Sequence, residues 1–182
     1  MSETPAFIRS HIETISPNNK PTHMSNPSTD YPALSAYLTV REGARAIEFY
    51  KSAFGATERF RLIDKKSGKV GHAEITIRDT LVMLSEENPQ WGNKSPLTLG
   101  GSPFTFCLLV DNADAAVERA VAAGATVVMP AADQFYGFRS ATISDPDGHQ
   151  WMLQHELEKV APEELQKRWD AMIAACTDGD GS

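Results

Sequence analysis

Between residues 31 and 87, hydrophobic positions first alternate with polar ones and then recur at helical spacing. The alternation over Ser35–Val40 predicts a β-strand. A helix is predicted over Ala44–Phe54, because its hydrophobic residues share one face and Gly55 follows as a stop signal. Three more β-rich stretches separated by turn residues predict strands at Thr57–Ile63, Gly71–Ile77 and Leu81–Ser85. The predicted order is βαβββ.

The second half of the chain carries the same order of patterns. A strand is predicted at Phe104–Val110, and a helix at Ala113–Ala123 is closed by Gly124. The strands predicted after it are Thr126–Met129, Arg139–Ile143 and Gln150–Gln154. The chain is therefore predicted to contain βαβββ twice.

Short identical strings support a duplication. Gly55-Ala56-Thr57 returns as Gly124-Ala125-Thr126, and Met83-Leu84 returns as Met152-Leu153 at the same spacing. One such match arises easily by chance, whereas several in the same order indicate a repeated unit. The fold class predicted from the sequence is α+β, built from two βαβββ modules.

The remaining segments differ from the modules in composition. Residues 1–30 are crowded with Pro, Ser, Asn and Thr and are predicted to be a flexible arm. Residues 31–87 form the first module, residues 88–103 a linker rich in Gly and Pro, and residues 104–160 the second module. A C-terminal helix is predicted from Pro162 to about Ala175 within a final segment, residues 161–182, whose last residues form a tail.

Composition and charge narrow the classes of function. Of 182 residues, 41% are hydrophobic and 23% charged, which is typical of a globular protein. The net charge of −7 is opposite in sign to that of a protein that neutralises phosphates, so no nucleic-acid partner is expected. Cys107 and Cys176 cannot make a disulfide framework. With neither a membrane-spanning apolar run nor a secretion signal, a cytoplasmic protein with no membrane partner is expected.

The alternation within strands also assigns side chains to faces. In Gly71–Ile77 the apolar residues belong to the helix side, which leaves His72, Glu74 and Thr76 on the other side. Tyr37 and Gln154 lie on the corresponding faces of their own strands. A second face that mixes polar and apolar residues is typical of a small-molecule cleft. The alternative is a face that covers a partner subunit, and the two interpretations are compatible.

Several sequence segments resemble those of a known protein family. AIEFYKSAFGA, GHAEITI, LVMLSEE and DQFYGFRSATISDPDGHQWMLQHE resemble the vicinal oxygen chelate superfamily, which includes glyoxalase I, bleomycin-resistance proteins and extradiol dioxygenases. Within it they look most like the PhnB-like, glyoxalase-related branch. The resemblance implies a curved mixed sheet around a cleft, with helices on the outer face. It also implies that two modules pair, within one chain or across a dimer. A homodimer is expected for this chain, because half-open sheets of this kind need a second subunit to cover them.

The resemblance also implies where a metal would bind. Metal-dependent members take ligands from the first and fourth strands of each module. The matching positions here are Ser35 and Met83 in the first module, and Thr105 and Met152 in the second. A thioether is a soft ligand that does not suit the divalent ions these enzymes use. The sequence therefore predicts no metal at the usual site and no cofactor.

His72 and Glu74 are the candidate catalytic residues. They are two residues apart on one strand and therefore share a face. His72 or Glu74 could act as a general base in a cleft. A relocated metal site is a further possibility, for which no third ligand is fixed by the spacing. His149 lies directly after the turn Asp145–Gly148, and it is expected to be either exposed or structural.

The loop over residues 133–139 is the other candidate binding element. It offers an amide, a phenol and a guanidinium, from Gln134, Tyr136 and Arg139. A guanidinium can hold a carboxylate or phosphate through two parallel hydrogen bonds. The alternative is a tight structural turn. The complete set of predicted ligand-binding residues is Tyr37, Gln134, Tyr136, Arg139 and Gln154.

Two functions are compatible with these observations. The first is a glyoxalase- or bleomycin-resistance-like protein that binds a small molecule in its cleft without the superfamily metal. The alternative is a lyase or isomerase of the glyoxalase type that uses His72 and Glu74 as general base, or a relocated metal site.

Overall fold

The predicted βαβββ pattern forms in both halves of the computed structural model. The structure describes residues 31–178, so the predicted N-terminal arm and the last four residues of the tail lie outside the described residues. Among the described residues, 31–35 carry neither helix nor strand, and the first element begins at Ala36. No helix of this described part is long and apolar enough to cross a membrane.

The first module contains four strands and one helix. They are β1 Ala36–Val40, α1 Gly43–Phe54, β2 Thr57–Ile63, β3 Val70–Ile77 and β4 Thr80–Glu86. Helix α1 ends because Gly55 adopts a left-handed conformation (φ 68°) and donates its amide to carbonyls of the last turn. The predicted bounds of these elements agree with the observed ones to within one residue.

The linker and the second module follow. They are α2 Pro96–Leu99, β5 Thr105–Leu109, α3 Ala113–Ala122, β6 Thr126–Asp133, β7 Phe138–Ser144, β8 Gln150–Glu156 and α4 Pro162–Asp178. The short α2 was not predicted. Ser95 caps its N-terminus, because the Ser95 side chain accepts a hydrogen bond from the amide of Thr98. Strand β6 is four residues longer than predicted, because it continues through Pro130 with register shifts against β7.

The strands form two four-stranded sheets with the same topology. Sheet 1 has the order β1-β4-β3-β2, and sheet 2 has the order β5-β8-β7-β6. The first strand of each module pairs in parallel with the last, so that Tyr37 lies opposite Met83 and Cys107 lies opposite Met152. This matching register confirms the predicted α+β fold of two βαβββ modules.

The helices meet in the middle of the molecule. Helix α1 covers one side of sheet 1, helix α3 covers one side of sheet 2, and the two helices pack against each other. Ile47 of α1, Ala116 of α3 and Trp151 of β8 belong to the same buried cluster. The strands thus divide into two sheets around a shared helical core, and the helices leave the other side of each sheet uncovered.

A buried polar cluster also joins the modules. The carboxylate of Asp145, in the turn before β8, accepts from the hydroxyl of Tyr50 (2.7 Å) and from the indole of Trp151 (3.1 Å). Its other oxygen accepts from the amides of Asp147 and His149. Burial and the neighbouring Asp145 carboxylate raise the pKa of Tyr50 well above its usual value. Module 2 thereby supplies the hydrogen-bond partner for a buried group of module 1.

His149 completes this junction. Its Nε2 lies 3.0 Å from the carbonyl oxygen of Thr39 in β1, and the residue is buried. Of the two alternatives left by the sequence, exposed or structural, the structure shows the second. Next to it, Asp147 accepts from the amide of Arg41 at 2.7 Å.

Candidate functional site

The side of sheet 1 that α1 leaves uncovered is called the open face of sheet 1. Its central residues come from all four strands: Tyr37, Phe60, Leu62, His72, Glu74 and Met83. Strand alternation explains this placement, because residues two apart on β3 face the same side, as do Phe60 and Leu62 of β2 beyond a bulge.

A chain of polar contacts crosses this open face. The hydroxyl of Tyr37 lies 3.1 Å from Nδ1 of His72. Nε2 of His72 lies 3.5 Å from Oε1 of Glu74, and Arg59 makes an ion pair with the other carboxylate oxygen at 3.0 Å. The Glu74 side chain is only 3% exposed, whereas Tyr37 is 54% exposed. These polar contacts therefore connect a buried carboxylate, that of Glu74, to an accessible phenol, that of Tyr37.

Apolar groups surround these polar contacts. The rings of Tyr37 and Phe60 lie on either side of the imidazole of His72, with centroids 5.7 and 5.8 Å away. Leu62, which pairs with His72 across the strands, is 59% exposed. An apolar surface with a few oriented polar groups is typical of a small-molecule site.

A cavity of about 370 Å³ opens beside Tyr37. It lies between the edge of β1 and the segment that leads into β5, and its lining includes Leu38, Pro96, Phe104 and Phe106. Lys94 and His149 add polar groups to this lining. The volume is in the range of small-molecule sites.

Three residues of the open face were missed by the sequence analysis: Arg59, Phe60 and Leu62. All belong to β2, where the register shifts between Glu58 and Phe60. A bulge changes the alternation of faces, so a strict period of two could not assign these residues. An arginine and two large apolar residues in a strand with little buried surface were the available signal.

Arg139 does not belong to this site. It lies on the helix side of β7, where Nε and Nη2 donate to the two carboxylate oxygens of Asp114 at 2.7 and 2.8 Å. Nη1 donates to Asp133 at 2.7 Å. These contacts lower the pKa of Asp114 and raise that of Arg139. The guanidinium fork for which a ligand was predicted is engaged by these two carboxylates, and it holds helix α3 against β7.

Tyr136, Gln134 and Gln154 lie in module 2, away from the contacts around His72. The hydroxyl of Tyr136 lies 3.2 Å from that of Ser140, which pairs across the strands with Gln154. The Gln134 side chain donates to the carbonyl of Ala132. Gln134 therefore takes part in the turn, while Tyr136 and Gln154 accompany Ser140 on sheet 2.

Comparison with known proteins gives the family. The chain matches the model of the Glyoxalase/Bleomycin resistance protein/Dioxygenase superfamily over residues 30–153, a region that covers the first module and most of the second. The chain belongs to this superfamily.

Relatives of the superfamily member are found in bacteria and plants. The Mycobacterium bovis protein Mb0911c is 42% identical over 153 residues, which cover 82% of this chain and 96% of that protein. The crystal structure of the Arabidopsis thaliana protein At5g48480 has a TM-score of 0.56 at 29% identity and covers 68% of this chain and 98% of that one.

A fosfomycin resistance protein shows the same fold. FosX from Listeria monocytogenes, solved with Mn(II) and sulfate, has a TM-score of 0.54 at 19% identity. The match covers 75% of this chain and 98% of FosX. At this identity the likeness shows the fold alone.

The residues at the superfamily's metal positions do not fit a divalent ion in this member. Met83 and Met152, which lie opposite Tyr37 and Cys107 in their sheets, each place a soft thioether at the fourth-strand position. Ser35, just before β1, and Thr105, the first residue of β5, offer only hydroxyls at the first-strand positions. Among the described side chains, residues 31–175, no group of three His, Cys, Asp or Glu could hold a metal. Around His72 the cation next to Glu74 is Arg59, whose charge opposes a second cation there.

Proposed function

We propose that this superfamily member binds a small organic molecule on the open face of sheet 1 and in the adjoining cavity, without a metal ion. The observation that carries the proposal is the polar chain from Glu74 to Tyr37 within an exposed apolar surface. Burying a carboxylate on a sheet face costs free energy, and its contacts with His72 and Arg59 offset that cost. Within this proposal, the chain is a cytoplasmic protein of the PhnB-like branch.

A second copy of the chain completes the site in this proposal. Tyr37 and Leu62 on sheet 1, and Leu109 and Met129 on sheet 2, are each more than half exposed. Large apolar residues concentrated on sheet faces are typical of surfaces that a ligand or a partner covers. A homodimer in which an open face of one copy meets that of the other would enclose the ligand.

The test uses the methionine methyl groups as reporters. In protein labelled with ¹³C at the methionine methyls, Met83 reports on the open face of sheet 1 and Met152 on the equivalent position of sheet 2. We expect small aromatic and carbonyl compounds to shift the Met83 signal in a saturable manner. Binding should weaken in Tyr37→Ala and persist in Cys107→Ala, which changes the matching position of sheet 2. A library that shifts only Met152, or neither methyl group, would contradict the proposal.

A second candidate function is a lyase or isomerase of the glyoxalase type. The specific observation is the carboxylate of Glu74 behind the imidazole of His72, an arrangement that suits a general base. The methylglyoxal–thiol adduct is the probe. If this function holds, His72→Gln should lower kcat at least about a hundredfold. Turnover that is equal in the two proteins, or absent in both, would contradict it.

A further inference from the structure

We infer that the hydroxyl oxygen of Tyr37 is the hydrogen-bond acceptor that the ligand meets, and that the ligand therefore carries a hydroxyl or N–H donor at this point. The inference rests on the proposed function, because it concerns the same open face. It follows from the direction of the hydrogen bonds between Glu74, His72 and Tyr37.

The direction of these hydrogen bonds is determined by Glu74, the buried residue of the three. The guanidinium of Arg59 has only donors, so the Glu74 carboxylate beside it serves as an acceptor. Of the two nitrogens of a neutral imidazole, one donates and the other accepts. Nε2 of His72 faces the carboxylate and therefore carries the proton.

The hydrogen-bonding role of Tyr37, the accessible residue, follows from this tautomer of His72. With its proton on Nε2, His72 presents a lone pair on Nδ1, and the group 3.1 Å away is the hydroxyl of Tyr37. The phenol donates its only proton to that nitrogen, so its oxygen retains acceptor capacity alone. Tyr37 is 54% exposed and lines the cavity of about 370 Å³, so its side chain is accessible to a ligand.

The same contacts limit access to the imidazole. Nδ1 of His72 is engaged by Tyr37, and Nε2 by Glu74. Tyr37 is 54% exposed and the His72 side chain 25%, so the oxygen of Tyr37 is the more accessible of these groups. Tyr37 is thus a specificity-determining residue, and His72 and Glu74 are positioning residues that act through it.

The first measurement is the tautomer of His72 in the ligand-free protein. Long-range ¹H–¹⁵N correlation at about pH 8, where imidazole is ordinarily neutral, distinguishes a proton on Nε2 from one on Nδ1. The His72→Gln variant assigns the signal. We expect the proton on Nε2, and a proton on Nδ1 would overturn the inference whether or not a ligand binds.

The second measurement compares two fragments of similar shape, phenol, which has a donor, and anisole, which has none. We expect phenol to bind about fivefold more tightly at Met83, the factor that corresponds to one neutral hydrogen bond. The ratio should fall towards one in Tyr37→Phe. It should also fall in His72→Phe, which frees the Tyr37 proton for donation, and should persist in Cys107→Ala.

The outcomes separate the two claims. Equal binding of phenol and anisole to the unmodified protein would overturn the inference and leave the proposed function standing. A phenol preference that survives in Tyr37→Phe would likewise overturn it, because another group would then be the acceptor. Binding of neither fragment would overturn the proposed function and this inference with it.

Discussion

Asp145 is the residue on which the junction between the modules depends. Its buried carboxylate accepts four hydrogen bonds, two from backbone amides and two from the side chains of Tyr50 and Trp151. We expect Asp145→Asn to lower the free energy of unfolding by about 3 kcal/mol, because an amide nitrogen would face one pair of donors. Urea denaturation measures the change. Asp79→Asn, in the exposed turn between β3 and β4, is the control, and equal effects of the two substitutions would contradict this view.

Glu58 should contribute to sensitivity towards acid. Hydrogen bonds from Arg61 and Lys51 lower its pKa from 4.5 to about 2. The ionised group therefore contributes its full stability above about pH 4.5 and loses it as the pH falls towards 2. Because the pair lies near the surface, we expect about 1 kcal/mol at most.

Denaturation of Glu58→Gln at several pH values checks this expectation. The difference in stability from the unmodified protein should be present at neutral pH and should disappear near pH 2. Glu118→Gln, an exposed position in α3, is the matched control for the removal of a surface carboxylate. A difference that stays constant through the acid range would contradict the assignment.

At the scale of elements, Arg139 joins β7 to α3. We expect Arg139→Ala to lower the melting temperature and to leave fragment binding at Met83 unchanged, because the guanidinium contacts Asp114 and Asp133 on the helix side. Arg139→Lys should recover only part of the lost stability, since an ammonium does not reproduce the fork. Thermal denaturation and the methyl titration on the same variants measure the two effects. Weaker fragment binding with an unchanged melting temperature would restore the ligand-binding hypothesis.

The case of Arg139 shows how far the sequence could predict the elements. The order of strands and helices follows from hydrophobic periods of two and of 3.6 residues, and apart from the short α2 it agrees with the structure. The same period of two places Arg139 on the side of the buried Ala141 and Ile143, which already disfavours a cleft position. Its partner Asp114 is distant in sequence, so alternation alone could not identify the ion pair.

The candidate site was also predictable only in part, because alternation assigns residues to sheet faces but does not identify contacts between distant segments. His72 and Glu74 share a face by alternation alone, and Tyr37 lies on the same face because β1 pairs with β4 in register. Arg59 was not predicted, because a β-bulge removes it from the simple alternation of faces. The burial of His149 depends on contact between the modules, which no local pattern encodes.

At the scale of the whole molecule, the exposed sheet faces should determine the oligomeric state. We expect a homodimer in analytical ultracentrifugation, because single copies leave large apolar side chains uncovered. Leu62→Glu combined with Leu109→Glu should shift the protein towards monomer, since a carboxylate is costly to bury. Val121→Glu, on the exposed part of α3, is the matched control. A monomer in the unmodified protein, or a dimer insensitive to the double substitution, would contradict the arrangement.

Metal content is the other property of the whole molecule. We expect clearly less than one Ni, Zn, Mn or Fe per chain by elemental analysis, because thioethers of Met83 and Met152 occupy the superfamily's ligand positions. A chelator should leave the melting temperature unchanged. One tightly held ion per chain, removed with a fall in melting temperature, would show that a metal site exists elsewhere.

The hydrogen bond between Tyr50 and Asp145 has a consequence for biosynthesis. The two residues are 95 positions apart, so the ribosome completes the first module well before the partner of its buried phenol has been made. Until then Tyr50 must remain hydrated or find a temporary acceptor, since an unpaired hydroxyl in an apolar interior is unfavourable. Final packing of α1 therefore waits for the second module, and the nascent chain acquires its native core only when the second half of the duplication has emerged.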